Sequence, residues 1–465
     1  MSDRATRTEH DSMGELEVPA AALWGAQTER ARQNFTLSGL RQPRALLKAL
    51  ALLKVAAARV NARHGSLPAA AAAAIEAAAL KVAAGDHDEA FPLDVFQTGS
   101  GTSTNMNANE VIARLAWLDS GVRVHPNDDV NRSQSSNDVF PSALHVAAVD
   151  LARHEVLPAL QHLATVIAAR GAELEHVVKT GRTHLMDAVP LTFGQELSGW
   201  ESQVKAALAR VESCLPRLQA LAIGATAVGT GLNAPPGFGA AVAAELSELT
   251  GEPYAVAPNA YAALAAQDTL VELSAQARGV AIALTKIAND LRWMNSGPLA
   301  GLGEIVLPAL QPGSSIMPGK VNPVIPEAVL MACAQVMAND HAVALAGQSG
   351  TFELNVMLPL IGHNLLGGLA LLARAARSLA DQAIAGFTVN EAHVTGLLAR
   401  NPVLATALNP LIGYDRAAAI AKTAAETRET VAAVAARVTG LPAGELDRLL
   451  DPRRLTEAGG DGGGR

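Results

Sequence analysis

Apolar residues recur along this chain at helical spacing, and strand-like alternation is scarce. The clearest run is Leu270, Leu273, Ala277, Val280, Leu284, Ile287 and Leu291, with alternating steps of three and four. Such steps keep one seam on one side of a helix about 30 Å long. Val271, Ala281, Ile282 and Ala288 make other faces apolar too, which predicts burial on more than one side, in a bundle core and at a subunit interface. The pattern predicts further long helices over 138–176, 190–221, 323–347 and 353–385, and shorter ones over 44–63 and 69–84. Pro158 should kink the first of these. Beyond Thr388 the chain turns to short helices interrupted at Asn401-Pro402, Asn409-Pro410 and Leu441-Pro442. The glycines at 459–464 predict a flexible end. These changes divide the chain into an N-terminal mixed helical domain (1–135), a central helical bundle (136–388) and a small C-terminal helical domain (389–465).

Composition sharpens this mainly α reading. Aromatics make up only 3% of 465 residues, so burial must come from Ala, Leu, Val and Ile on closely packed helices. A net charge of −8 argues against nucleic-acid binding, which needs a basic surface, yet leaves room for an anionic substrate in a locally positive pocket. The two cysteines, Cys214 and Cys333, form no framework and point to a reducing compartment. No CxxC or HExxH spacing suggests a metal. The polar start is not a signal peptide, and the alanine tract at 69–79 is too short to span a bilayer. The expectation is a soluble, cytoplasmic protein without membrane or nucleic-acid partners.

Against this apolar background stand five polar clusters. The most informative is Gly313-Ser-Ser-Ile-Met-Pro-Gly-Lys-Val-Asn-Pro323, followed by Glu327. Its glycines and prolines predict a loop, and Ser314, Ser315, Lys320 and Asn322 suit a substrate that builds negative charge. Thr98-Gly-Ser-Gly-Thr-Ser-Thr-Asn105 is a hydroxyl-rich glycine loop that could hold carboxylate oxygens, although alone such a loop is usually just a loop. His125 to Asp138 is nearly unbroken polarity feeding a long apolar helix. Asn137 or Asp138 should cap that helix, while Ser135, Ser136 and Asn137 at its N-terminus form an anion-binding arrangement. Gly181-Arg-Thr-His-Leu-Met-Asp-Ala188 brings Thr183 and His184, and Gly229-Thr-Gly-Leu-Asn233 reads as a structural turn.

The 313–323 string resembles the signature loop of the aspartase/fumarase superfamily. His10-Asp-Ser-Met-Gly14, Leu23-Trp-Gly-Ala-Gln-Thr28, the clusters above, Lys286-Ile-Ala-Asn-Asp-Leu-Arg292, Phe352-Glu-Leu-Asn355 and Ile412-Gly-Tyr-Asp415 extend the resemblance over about residues 10–455. They are similar to class II fumarases. His184 discriminates, since aspartases commonly carry glutamine there; Gly319 and Thr98-Gly-Ser-Gly point the same way. The resemblance implies a three-domain, mainly α subunit whose central helices form a twenty-helix core in a homotetramer. It implies a lyase of the tricarboxylic acid cycle that needs no metal or cofactor and interconverts fumarate and L-malate.

By the same resemblance Ser314, His184, Lys320 and Glu327 are catalytic. Ser314 as alkoxide is the base at C3, or, in an older reading, His184 is. Lys320 and Asn322 hold the charge-accumulating carboxylate, and His184, polarised by Glu327, acts through water on the hydroxyl side. Ser100, Gly101, Thr102, Ser135, Ser136, Asn137, Thr183, Ser315 and Val321 complete the substrate site. An accessory anion site is implied at His125, Pro126, Asn127 and Asp128, where Val122 replaces an expected arginine and Arg123 stands beside it. The rivals are an aspartate ammonia-lyase or another fumarate-releasing lyase, and a silent scaffold of the lens-crystallin kind. A scaffold has no need of Ser314, Lys320, Asn322, His184 and Glu327 together.

Overall fold

A computed structural model describes residues 5–457, so the glycine-rich end lies outside the described residues. The expected helical segments form. Arg44–Arg63 and Ala69–Ala84 keep their expected bounds, and the heptad run lies within Asp268–Met294. Phe193–Leu218, Val324–Gly347 and Leu358–Leu379 account for three of the other long segments. The fourth runs as Ser136–Leu151, a π-type turn at Ala152–Val156, and Leu157–Glu173. The wider turn comes just before Pro158, the residue expected to kink this helix, whose ring lacks an N–H and crowds the preceding turn. Pro141 and Pro216 sit inside helices as well.

The N-cap of the Ser136 helix corrects an expectation. Ser135 is the cap: its Oγ accepts the Asn137 N–H at 3.2 Å, and Asp138 Oδ1 accepts the Ser135 N–H at 2.9 Å. Asn137 is thereby freed to donate its side-chain amide to the Ala227 carbonyl at 2.9 Å.

The described residues within Met1–Pro158, Ala207–Ala281 and Ala332–Ala373 form one compact unit; those within Ala159–Ala206, Ile282–Met331 and Arg374–Arg465 form another. In the first, Val55, Ile75, Val82, Val111 and Ile112 anchor a core in which alanines such as Ala51, Ala78 and Ala79 let helices approach closely. In the second, Leu404, Leu408, Ile420, Val434 and Leu446 build a core from the short C-terminal helices. Strands are short and paired. Thr6–Asp11 pairs antiparallel with Gly14–Pro19, and Val178–Thr183 with Met186–Thr192.

Candidate active site

The expected site residues fall into three places. In the first unit, Ser100, Gly101 and Thr102 lead into the Thr102–Ser120 helix, with Ser100 and Thr102 hydroxyls 2.8 Å apart. Gly101 has φ of +74°, and a Cβ there would lie 2.2 Å from the Phe140 ring, so only glycine lets this loop rest on the Ser136 helix. Asn105, one turn on, donates to Ser136 Oγ at 2.9 Å. The glycine loop and the Ser135–Asn137 helix start are thus joined side by side. Ser136 is buried, and Ser135 and Asn137 are half-buried, as befits groups lining a recess rather than a free surface.

The accessory residues lie in the same unit. His125, Pro126 and Asn127 line a cavity of about 600 Å³, together with Arg7, Arg114 and Arg123. His125 Nδ1 accepts the backbone N–H groups of Asn127 and Asp128 at 3.2 and 3.1 Å. Arg114 and Arg123 stack over the Trp117 ring at 4.5 and 5.0 Å from its centroid. Val122 packs against the apolar core, so Arg123 brings the positive charge to this cavity from the next position.

The signature loop belongs to the second unit and closes on itself. The Gly313 N–H donates to the Lys320 carbonyl at 2.8 Å, and Asn322 Nδ2 to the Gly313 carbonyl at 2.9 Å. A Cβ on Gly313 would sit 2.4 Å from the Lys320 oxygen, so the closure demands glycine. Inside the ring, Ser314 Oγ accepts the N–H groups of Ile316 and Met317 at 3.3 and 3.1 Å. Two amide donors on one hydroxyl oxygen favour its charged form. Ser315, Lys320 and Val321 are exposed, as is Glu327 on the following helix.

Thr183 and His184 lie on a hairpin that the helical reading of the chain missed. Val178–Thr183 and Met186–Thr192 pair with Thr183 opposite Met186, leaving His184 and Leu185 as a two-residue turn. Both have positive φ, +57° and +61°, as a type I′ turn requires. Leucine rarely adopts this region, and such strain concentrates at functional positions. The hairpin is moored by a buried ion cluster. Lys179 donates to Glu196 at 2.6 Å and Glu304 at 2.8 Å, while Arg182 clasps both oxygens of Glu304. Val178-Lys-Thr-Gly-Arg-Thr carries no apolar–polar alternation to mark a strand, and His-Leu is not a recognisable hairpin turn. Among the described residues, no hydrogen bond or ion pair within one chain joins His184 to Glu327 or to Ser314.

A family model described as "Lyase" matches residues 14–338, and one described as "Fumarase C C-terminus" matches 404–457. The chain is 56% identical, over 100% of its length and 98% of the relative's, to a class II fumarate hydratase of Xylella fastidiosa. It is 54% identical to a class II fumarate hydratase of Mycobacterium tuberculosis, covering 97% of this chain and 96% of that one. The chain belongs to the class II fumarate hydratase family. Class II fumarase from Schistosoma mansoni superposes with a TM-score of 0.94 at 39% identity, covering 97% of this chain and 99% of that one. The mainly helical fold expected from the pattern is therefore that of the class II fumarases.

One polar residue of the first unit that bears on the site was not anticipated: Lys54. Lys54 stands on an otherwise apolar face of the Arg44–Arg63 helix between Leu53 and Val55, and it is fully buried. A lysine in such a place was the available signal.

Proposed function

We propose that this chain is a fumarate hydratase, a hydro-lyase that interconverts fumarate and L-malate without metal or cofactor. The observation that carries the chemistry is the pair of backbone N–H groups on Ser314 Oγ. The C3 proton of malate sits beside a carboxylate and is very weakly acidic. A base removes it only if its own charged form is stabilised and if the resulting aci-carboxylate is stabilised as it forms. Ser314 as alkoxide answers the first need. Lys320 and Asn322 answer the second, since Asn322 spends one amide proton on the loop and keeps the other for the substrate. His184, polarised by Glu327, handles water on the hydroxyl side. Ser100, Thr102, Ser136, Asn137 and Thr183 hold the dicarboxylate, and the cavity beside His125 and Asn127 is an accessory anion site.

The exposed site loops carry exposed apolar side chains as well: Leu185, Met186, Ile316, Met317 and Val321. Such patches mark surfaces that another chain covers. The Val324–Gly347 helix adds to this. It is apolar and long enough to cross a bilayer, yet only 28% of its most apolar window is buried within one chain, and Met331 and Leu345 are bare. These observations support subunits that pack their long helices together in a homotetramer; the proposed subunit has three domains (1–135, 136–388, 389–465) and is cytoplasmic. Each site then takes Ser135–Asn137, the Ser314 loop and His184 from three different chains.

Purified protein given L-malate should form fumarate, followed by its ultraviolet absorbance, at a rate unchanged by EDTA. Ammonia released from aspartate at a comparable rate would refute the hydratase reading in favour of an ammonia-lyase.

A further inference from the structure

What sets the direction of the Ser136 hydroxyl lies beneath it. The Lys54 ammonium can only donate, and its Nζ donates to Asn131 Oδ1 at 2.9 Å and Gln134 Oε1 at 3.0 Å. Both amides are held with oxygen toward the cation. Asn131 Oδ1 also accepts from Nδ2 of Asn105 and of Asn109, each at 3.2 Å, and Asn131 Nδ2 turns away to the Gln134 carbonyl. Asn105 must therefore present its NH₂ group, and its second proton goes to Ser136 Oγ at 2.9 Å. An acceptor on its inner side, the Ser136 hydroxyl has its own proton free to point outward. The arrangement has a cost that shows which demand wins: the buried Oδ1 atoms of Asn105 and Asn109 have no partner among the described residues. Turning either amide to satisfy its oxygen would set oxygen against the oxygen of Asn131. A cation at the head of a hydrogen-bond chain polarises every link after it.

We propose that Lys54 is a positioning residue: through Asn131 and Asn105 it fixes the Ser136 hydroxyl as a donor toward a substrate carboxylate. The inference rests on the reading that Ser136 holds the substrate.

The test is steady-state kinetics on the tetramer for Lys54→Met, Ser136→Ala and the double variant. Lys54→Met and Ser136→Ala should each raise KM for malate roughly ten- to a hundredfold, the worth of a hydrogen bond to a charged group, with a much smaller change in kcat. The double variant should be no worse than Ser136→Ala alone, because the relay has nothing left to aim. An unchanged KM for Ser136→Ala would overturn the substrate reading itself. A raised KM for Ser136→Ala, with Lys54→Met leaving KM unchanged or adding its full factor in the Ser136→Ala background, would overturn the relay alone. If Lys54→Met does not fold, Asn105→Asp takes its place, since it keeps the cation and cannot donate to Ser136. The same expectations apply, and failure of both variants to fold would make the network purely structural and refute the proposal.

Discussion

At the scale of single residues, burial decides which protonation state the fold accepts. His145, on the Ser136–Leu151 helix, is wholly satisfied as a neutral ring, with Nδ1 2.9 Å from the Leu218 carbonyl and Nε2 3.2 Å from the Thr269 hydroxyl. Desolvation pushes its pKa down from the ordinary 6.5 to about 4, outweighing the carbonyl contacts that favour a proton. The sign follows directly. Above pH 6.5 the ring is neutral in folded and unfolded chains alike and the stability is fully present. As pH falls from about 6.5 to about 4 the unfolded chain takes up a proton that the folded one refuses, and stability is lost. The whole window is worth roughly 3 kcal/mol. His145→Gln should remove that part of the acid-side slope in denaturant melts between pH 6.5 and 4; an unchanged slope would refute the assignment. Asp138 and Lys54 are buried in the same unit with opposite shifts, to about 6 and about 7, each driven first by desolvation. Burial alone would neutralise both; three backbone N–H bonds to Asp138 and the attraction between the two limit the effect.

At the scale of elements, the site is only as good as the parts that carry it, and these were unevenly legible. Helices such as Arg44–Arg63 were readable because an apolar stripe at 3.6-residue spacing is a long, redundant signal. The hairpin under His184 was not. Its strands are six and seven residues long, its turn is a strained His-Leu, and its stability comes from an ion cluster centred on Glu304, more than a hundred positions away. The polar string before the Ser136 helix announced a helix start, but which residue caps it depended on the fold. Asp138 is claimed by Gly224 and Thr226 as well as by Ser135. Motif residues were easier to place than their supports: Ser314 stands out by a string of polar neighbours in the chain, Lys54 only as a lone lysine on an apolar helix face. The hairpin's dependence on its cluster gives a prediction. Glu304→Gln takes the charge from the carboxylate that Lys179 and Arg182 share, leaving Lys179 with Glu196 and Arg182 unpaired near the turn. Breaking a buried pair this way costs about 3–5 kcal/mol. Thermal melts should show that loss, and malate turnover per folded molecule should fall too, because His184 loses its footing. Full turnover in the folded fraction would mean the cluster holds the fold without holding the histidine.

At the scale of the whole molecule, the question is how residues on separate exposed loops become one site. Ser314 Oγ has its two N–H donors inside its own loop, and His184 has its positive-φ turn, yet within one chain no bond joins them among the described residues. The proposed tetramer would answer it, because under closed symmetry each repeated interface would build every site in the same way from the same set of donors. Ser314→Ala and His184→Asn should each be nearly inactive as homotetramers, with a loss of about a hundredfold or more for a missing acid or base. Each variant still carries what the other lacks. If the two are denatured together in equal amounts and refolded, a site needs its serine from one kind of chain and its histidine from the other. Each requirement is met half the time, so roughly a quarter of sites should recover under random assembly. Light scattering should confirm tetramers, and circular dichroism should show both parents folded, so that inactivity cannot be mistaken for unfolding. Sites contained within one chain would gain nothing from mixing, since no chain in the mixture has both residues. A refolded mixture no more active than its parents would therefore refute the shared site and return Ser314 and His184 to a single subunit.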